Sequence, residues 1–337
     1  MANRTDVANK AGVSVATVSN VFNGSVFVSA GAAERVRAAA AVLKYVPNHS
    51  ARSLSSGTQK HIGIALNEYT NPFHMRIVQG VEDEAMKQGY MVTVLMLDNE
   101  MEDKIDFIKQ RQFDALINWT TQQYPSEFID ILINSKCVLV NFAEEFGLMF
   151  DIDNYGATLA FMKKLRELGH RKVAYINTFD ELHWKADGRG RAFSENSGPV
   201  GFTSDPGLVV FNDDFSLPSE AAGYSLCKRL LGKRRDFTAL FATNDLAAMG
   251  AMRALADAGL RVPEDVSLIG CDDTALSSLT VPSLSSISYD HGRYVREMVG
   301  KIVDCIRRKE GGAGSKFIFK GEPVFRESVG KAKRQNI

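Results

Sequence analysis

From residue 61 onward the chain repeats one pattern. Short apolar runs of strand length alternate with stretches whose apolar residues recur every three or four positions. The runs are IGIAL (62–66), MVTVLML (91–97), ALINW (115–119), CVLVNF (137–142), VAYIN (173–177), LVVF (208–211), ALFAT (239–243), VSLIG (266–270) and FIFK (317–320). Helix-period stretches fall between them at 71–88, 105–108, near 128–133, near 159–168, around 191–195, near 221–231, 246–258 and near 295–308. Near-continuous apolar strands fit a sheet covered on both faces. Their alternation with helices predicts doubly wound, mainly parallel α/β layers, and two consecutive sets predict two subdomains.

Residues 1–60 follow another pattern. In NRTDVANKAGVSVATVSNVFN (3–23), Asn3 can cap a helix and Asp6 sits in its first turn, favoured by the dipole. Val7, Ala8 and Ala11 recur at helical spacing, and Gly12 ends the run. Ser14 can cap a second helix whose inner stripe is Val18 and Val21. Two short helices joined by a glycine-bearing turn are the helix-turn-helix plan. Ala8 marks the crossing, where a larger side chain would push the helices apart. Ser29 can cap a third helix running to about residue 43, with Val36, Ala39, Ala40 and Leu43 inward. Pro47 stops it, because proline disfavours helix in the residue before it. The stretch NHSARSLSSG (48–57) is polar, with Leu54 as its only large apolar residue.

Charge sharpens this division. The 337-residue chain is neutral overall, yet residues 1–60 hold Arg4, Lys10, Arg35, Arg37, Lys44, Arg52 and Lys60 against Asp6 and Glu34, a balance of +5. A basic head on an acidic body suits an anionic polymer bound at one end. The four cysteines (Cys137, Cys227, Cys271, Cys305) lack ligand spacing, so free thiols in a reducing cytosol are expected. No apolar leader precedes the head and no run is long enough to span a bilayer, which reads as a cytoplasmic protein. Neither a GxxxxGK[ST] loop nor a GxGxxG turn follows any strand. GxSxG and HExxH are absent and the six histidines are scattered, so no enzyme, cofactor or metal is expected.

The stretches SVATVSNVFNG, VSAGAAERVRAAAAVLKYVPN and HSARSLSSGTQKHIGI resemble the lactose/galactose repressor (LacI/GalR) family almost position by position. The resemblance continues through NPF at 71–73, ELGHRKVAYI at 167–176, TND at 243–245, GLRVPEDVSLIGCDD at 259–273 and FRESV at 325–329. It implies an N-terminal all-α helix-turn-helix domain (1–47) and a hinge segment and linker (48–60). A periplasmic-binding-protein-like domain of two doubly wound subdomains (61–330) and a basic tail (331–337) then follow. Subdomain 1 would span about 61–157 and 290–319, and subdomain 2 about 158–289 and 320–330. The chain would cross between them near Gly156, Tyr289 and Lys320.

The resemblance also assigns roles. Val15, Ala16 and Asn20 would read base edges in the major groove, where asparagine suits adenine. Many relatives have arginine at the Asn20 position, so their operator is not carried over. Thr17 and Ser19 suit phosphate oxygens. Asn23, Ser29, Asn48 and Ala51 complete the DNA set. Leu54 would wedge into the minor groove, trading unstacking for a bend. Ala32 and Ala33 replace a polar or basic pair common in relatives. The effector would bind in the cleft between subdomains, against Phe73, Asp153, Arg189, Phe215, Asn244 and Asp272. Trp119 and Trp184 are further candidate stackers. Taken singly, strand-end Asp and Asn residues commonly cap the next helix, and Asp245 reads as such a cap. Together, an arginine, carboxylates and amides beneath aromatic faces make a polyol site.

The reading is a ligand-responsive transcription regulator, a repressor of carbohydrate genes, gripping a pseudo-palindromic operator as a homodimer. The final GKAKRQNI has no leucine heptads to build a tetramer. The alternatives are a sugar-binding module whose head no longer reads DNA, and a purine-responsive regulator.

Overall fold

The computed structural model describes residues 2–23, 27–46, 58–97, 105–106, 108–110, 112–120, 124–142 and 145–333. The chain forms two compact units, Met1–His61 and Ile62–Ile337.

The first unit is helical. Helix α1 spans Arg4–Ala11, α2 Val15–Asn23 and α3 Ala30–Val42. Asn3 Oδ1 accepts from the Thr5 and Asp6 amides, and Asp6 accepts from the Asn3 amide, a reciprocal cap. Gly12 takes the left-handed conformation (φ +65°), so the chain reverses without a Cβ penalty. Ser14 Oγ accepts from the Thr17 amide and opens α2. Val7, Ala8, Ala11, Val18, Val36, Ala39 and Ala40 form the core, with Phe22 against Tyr45 at its margin. Ser29 stands at the start of α3 but makes no side-chain cap bond.

The second unit holds two parallel sheets. In the first lobe the strands are β1 (His61–Leu66), β2 (Met91–Met96), β3 (Ala115–Trp119), β4 (Val138–Val140), β5 (Leu148–Asp153) and β11 (Ser315–Lys320), ordered β11-β5-β4-β3-β1-β2. Helices α4 (Pro72–Lys87) and α11 (His291–Arg308) cover one face. There Ile77 and Val81 meet Val295, Met298 and Ile302 over Ile62, Ile64 and Ile117. Ile105, Ile108 and residues of α5 (Ser126–Asn134) cover the other face. In the second lobe β7 (Val209–Phe211), β6 (Val173–Asn177), β8 (Ala239–Ala242) and β9 (Ser267–Ile269) run in that order. Helices α9 (Ser219–Lys233) and α10 (Asp245–Asp257) lie on one face. Helices α6 (Asn154–Glu167), α7 (Glu181–Ala186) and α8 (Gly188–Val200) lie on the other. A two-stranded antiparallel ribbon pairs β10 (Ser286–Ser288) with β12 (Glu322–Val324).

The chain leaves the first sheet after β5, returns to it through α11 and β11, and departs again at β12. Strand β5 escaped the periodicity. Its sequence LMFDID carries two aspartates, and only Leu148 and Phe150 are buried. Burial on a single face breaks the continuous apolar run that marked its neighbours. Helix α8 is longer than the 191–195 reading, running from 188 to 200 and tolerating Pro199 in its last turn.

Candidate nucleic-acid interface and ligand cleft

Helix α2 divides its residues cleanly. Val18 is fully buried in the head, while Val15 and Ala16 at the exposed start of the helix face solvent. Thr17, Ser19 and Asn20 are half-buried beside them. The Thr17 hydroxyl lies 2.9 Å from Ser14 Oγ, and Ser19 Oγ accepts a 3.4 Å bond from Arg4. Arg4 therefore joins the surface that the α2 residues present, a cation the helix-by-helix reading missed. Asn23 ends α2 and Ser29 is exposed before α3. Asn48, Ala51 and Leu54 lie outside the described residues.

The second unit contains a cleft of about 520 Å³ between the carboxyl ends of its two sheets. One wall comes from the loop after β1 (Asn67, Glu68, Thr70, Asn71), from His74 in the first turn of α4 and from Trp119 at the end of β3. The other wall comes from Thr178, Phe179, Asn212, the loop 215–218, Ser219 and Asn244. This is the edge where doubly wound sheets bind ligands.

Of the predicted ligand residues, Phe215 and Asn244 line this cleft, and Phe73, Asp153, Arg189 and Asp272 are not among its lining residues. Phe215 has 65% of its surface exposed. Asn244 also caps α10, accepting from the Ala247 amide, and its Nδ2 donates to Ser219 Oγ. Phe73 stands against His74 and Tyr289 with ring centroids 5.7 and 6.1 Å away. Asp153 is exposed and caps α6 through the Gly156 amide. Trp119 lines the cleft, and its indole N–H is buried without a hydrogen-bond partner. Trp184 does not reach the cleft. It is 6% exposed in the second lobe's core, packed on Tyr175 and Phe211.

Arg189 is already engaged. Its Nε and one terminal nitrogen donate to Asp187 at 2.8 and 2.9 Å, and its other terminal nitrogen donates to the Thr243 carbonyl. Its guanidinium carbon lies 5.8 Å from the centroid of Phe179, a cleft residue. Burial alone would raise the Asp187 carboxyl, but the Arg189 charge and hydrogen bonds hold it below the usual value. Asp272 takes a left-handed backbone (φ +114°). Burial, then the nearby Asp245 charge, push its carboxyl well up, and Arg189 offsets part of this. Asp245 is not a helix cap. Asn244 holds that position, and the buried Asp245 carboxylate accepts from the Thr274 amide and the hydroxyls of Thr274, Ser277 and Ser286. It thereby pins the loop that carries Asp272. Residue type alone could not separate these adjacent roles.

The Asp187–Arg189 pair makes a testable claim on stability. A carboxyl lowered in the folded chain binds protons less readily than in the unfolded chain. Its contribution is therefore present above the unfolded value, near 4, and lost as pH falls through the folded one. Asp187→Asn leaves a largely buried guanidinium short of its counter-charge. We expect about 1.5–3 kcal/mol lower stability at pH 7, the scale of hydrogen bonds to a charged group, with the gap to the parent closing toward pH 3. Chemical denaturation at the two pH values measures it; a gap that widens in acid would contradict this assignment.

Comparison with known proteins decides the family. Residues 5–48 match bacterial regulatory proteins of the lacI family, and residues 162–329 match a periplasmic binding protein-like domain. The HTH-type transcriptional repressor PurR of Haemophilus influenzae (strain ATCC 51907 / DSM 11121 / KW20 / Rd) is 31% identical, over 98% of this chain and 99% of its own. The chain belongs to the LacI family. GalR of Escherichia coli (strain K12), a transcriptional regulator, is also 31% identical, over 86% of this chain and 84% of its own. The CelR–cellobiose complex is similar in structure, with TM-score 0.68 and 26% identity, over 97% of this chain and 100% of its own. A Lac repressor dimer bound to operator shares the fold, with TM-score 0.78 and 24% identity over 98% and 99% of the two chains. This LacI-family chain is a DNA-binding, ligand-responsive transcription regulator. Among its described residues no helix is long and apolar enough to cross a membrane, and no cluster of His, Cys, Asp or Glu is placed to hold a metal.

Sequence reading missed Glu68, His74, Phe179, Asn212 and Ser219 as cleft residues. Their only signal was position: each lies within a few residues of the carboxyl end of a strand or the start of a helix.

Proposed function

We propose that this regulator is a cytoplasmic homodimeric repressor whose cleft binds a sugar and whose two heads grip a pseudo-palindromic operator. The observation that carries the ligand reading is the composition of the cleft. Asn67, Thr70, Ser219 and Asn244 supply amides and hydroxyls, while Trp119, Phe179 and Phe215 supply ring faces. Amides hydrogen-bond adjacent hydroxyls, and ring faces cover the C–H surface of a sugar. The exposed Val15 and Ala16 at the start of α2 support base contact of the apolar kind, against thymine methyl groups. Thr17, Ser19, Asn20, Asn23, Ser29 and Arg4 would frame them. Asn48, Ala51 and Leu54 would act in the minor groove.

Sugar and operator are coupled when the ligand binds the two arrangements of the lobes with different affinity. Phe73, Asp153, Arg189 and Asp272 would complete the ligand site. A purine is the second reading. It is favoured by the PurR relatives and by rings on both walls that would stack a planar base equally well.

A thermal-shift screen of sugars, polyols and nucleobases separates the two readings. Binding raises the midpoint by mass action, about 2.7 kcal/mol of stabilisation at a hundredfold excess over Kd. A sugar is expected to shift the second unit. A shift from nucleobases alone would replace the sugar with a purine.

A further inference from the structure

Glu68 occupies an unusual position. It stands on the loop after β1 in the first lobe, and its carboxylate reaches across to the second lobe. Ser219, the first residue of α9, donates to it twice, through its amide at 3.2 Å and its hydroxyl at 3.1 Å. Asn244 Nδ2 donates to the same Ser219 hydroxyl at 3.3 Å, and Thr70 Oγ1 donates to the carboxylate at 3.3 Å. The Glu68 carbonyl is paired with His74 Nδ1. Burial lowers the His74 value, which keeps its ring neutral. Among the described residues lining the cleft Glu68 is then the sole formal charge. Arg189, whose guanidinium lies against the cleft residue Phe179, is committed to Asp187 and Thr243.

We propose that Glu68 closes the cleft and sets the charge class of its ligand. The proposal rests on the reading that the effector binds in this cleft. In the free protein the carboxylate holds the start of α9, joining the lobes through donors that a ligand would otherwise approach. A ligand rich in hydroxyl donors takes over the carboxylate and keeps the lobes joined through itself. A phosphate or carboxylate ligand brings a second negative charge beside Glu68 and meets no uncommitted cation among the described lining residues. Like charges at short range in a partly desolvated site repel. The selected class is therefore neutral and polyhydroxylated, and sugar phosphates and sugar acids are rejected.

Two measurements on the full chain test this. In the first, ribose, glucose, galactose, cellobiose and glucose 6-phosphate are titrated calorimetrically into the parent, Glu68→Gln and Phe215→Ala. The strongest neutral sugar is expected to bind the parent at least about tenfold more tightly than glucose 6-phosphate. It should lose about 10- to 100-fold in Glu68→Gln, the scale of a hydrogen bond to a charged group. Tighter binding of glucose 6-phosphate by the parent would overturn the proposal. If Phe215→Ala weakens the sugar and Glu68→Gln does not, the cleft reading survives and the role of Glu68 falls. If neither variant changes binding, the cleft reading fails first.

The second measurement needs no added sugar. Spin labels at Gln79→Cys on α4 and Lys228→Cys on α9, in a Cys305→Ser background, report the distance between lobes. The free parent should give one narrow distribution, and Glu68→Gln a broader one displaced to longer distance. Superimposable distributions would contradict the closing role.

Discussion

Gly250→Val is expected to unfold the second lobe. A Cβ at Gly250 would lie 2.0 Å from the Glu220 carbonyl oxygen and 2.8 Å from the Tyr224 amide nitrogen. Across the same crossing, a Cβ at Gly223 would lie 2.2 Å from the Ala247 carbonyl oxygen. Helices α9 and α10 thus meet backbone to backbone, and no flexible side chain can yield. The branched substituent must force the helices apart, uncovering Leu226, Ala251 and Leu255 beneath them. Overpacking of this severity exceeds the usual 1–3 kcal/mol, and a loss of roughly 4 kcal/mol or more is expected. Because Ser219 and Asn244 stand at the starts of these two helices, the sugar response should disappear with the fold. Gly232→Ala is the control. Nothing lies within 4 Å of its Cβ, so it should match the parent or gain a few tenths to 1 kcal/mol. Urea unfolding of both variants checks this, and parent-like stability in Gly250→Val would refute the close crossing.

Leu54→Ala addresses the other end of the chain. A minor-groove wedge holds a base step open, and truncation removes the group that replaces the lost stacking. Phosphate contacts from the heads remain, so non-specific affinity and its salt slope should barely change. Specific affinity should fall by roughly 1–3 kcal/mol, the scale of one mismatched base pair. Dimerisation and ligand binding should persist, because residue 54 precedes the unit Ile62–Ile337 that holds the cleft. Titration on operator and on scrambled DNA reads the difference. Equal losses on both would indicate a general electrostatic defect, and no loss would return Leu54 to a linker role.

Much of this architecture was legible in the residues. Buried parallel strands announce themselves as apolar runs, and Asn3, Gly12 and Ser14 mark the head's boundaries through local bonds that the structure contains. The site was less legible, for a physical reason. Cleft residues mix polar and aromatic side chains brought together from distant loops, so no period connects them. Glu68 and Ser219 are 151 positions apart. Asn244 and Asp245 are adjacent, yet one caps a helix at the cleft and the other pins a buried loop. Trp184 read as a further candidate stacker, but its side chain is part of the second lobe's core.

The central claim is that the head reads DNA sequence and that occupancy of the cleft changes this reading. Selection of sites from random duplex DNA by the full chain, followed by titration of the winning sequence with and without the best-binding sugar, tests it most directly. A pseudo-palindrome whose two half-sites match the two heads of a dimer should be enriched. Affinity for that sequence should change by about 5- to 150-fold when the sugar is present, the range of typical coupling energies. Failure to enrich any sequence, under every ligand condition, would contradict the central claim and leave a sugar-binding protein whose head does not recognise an operator.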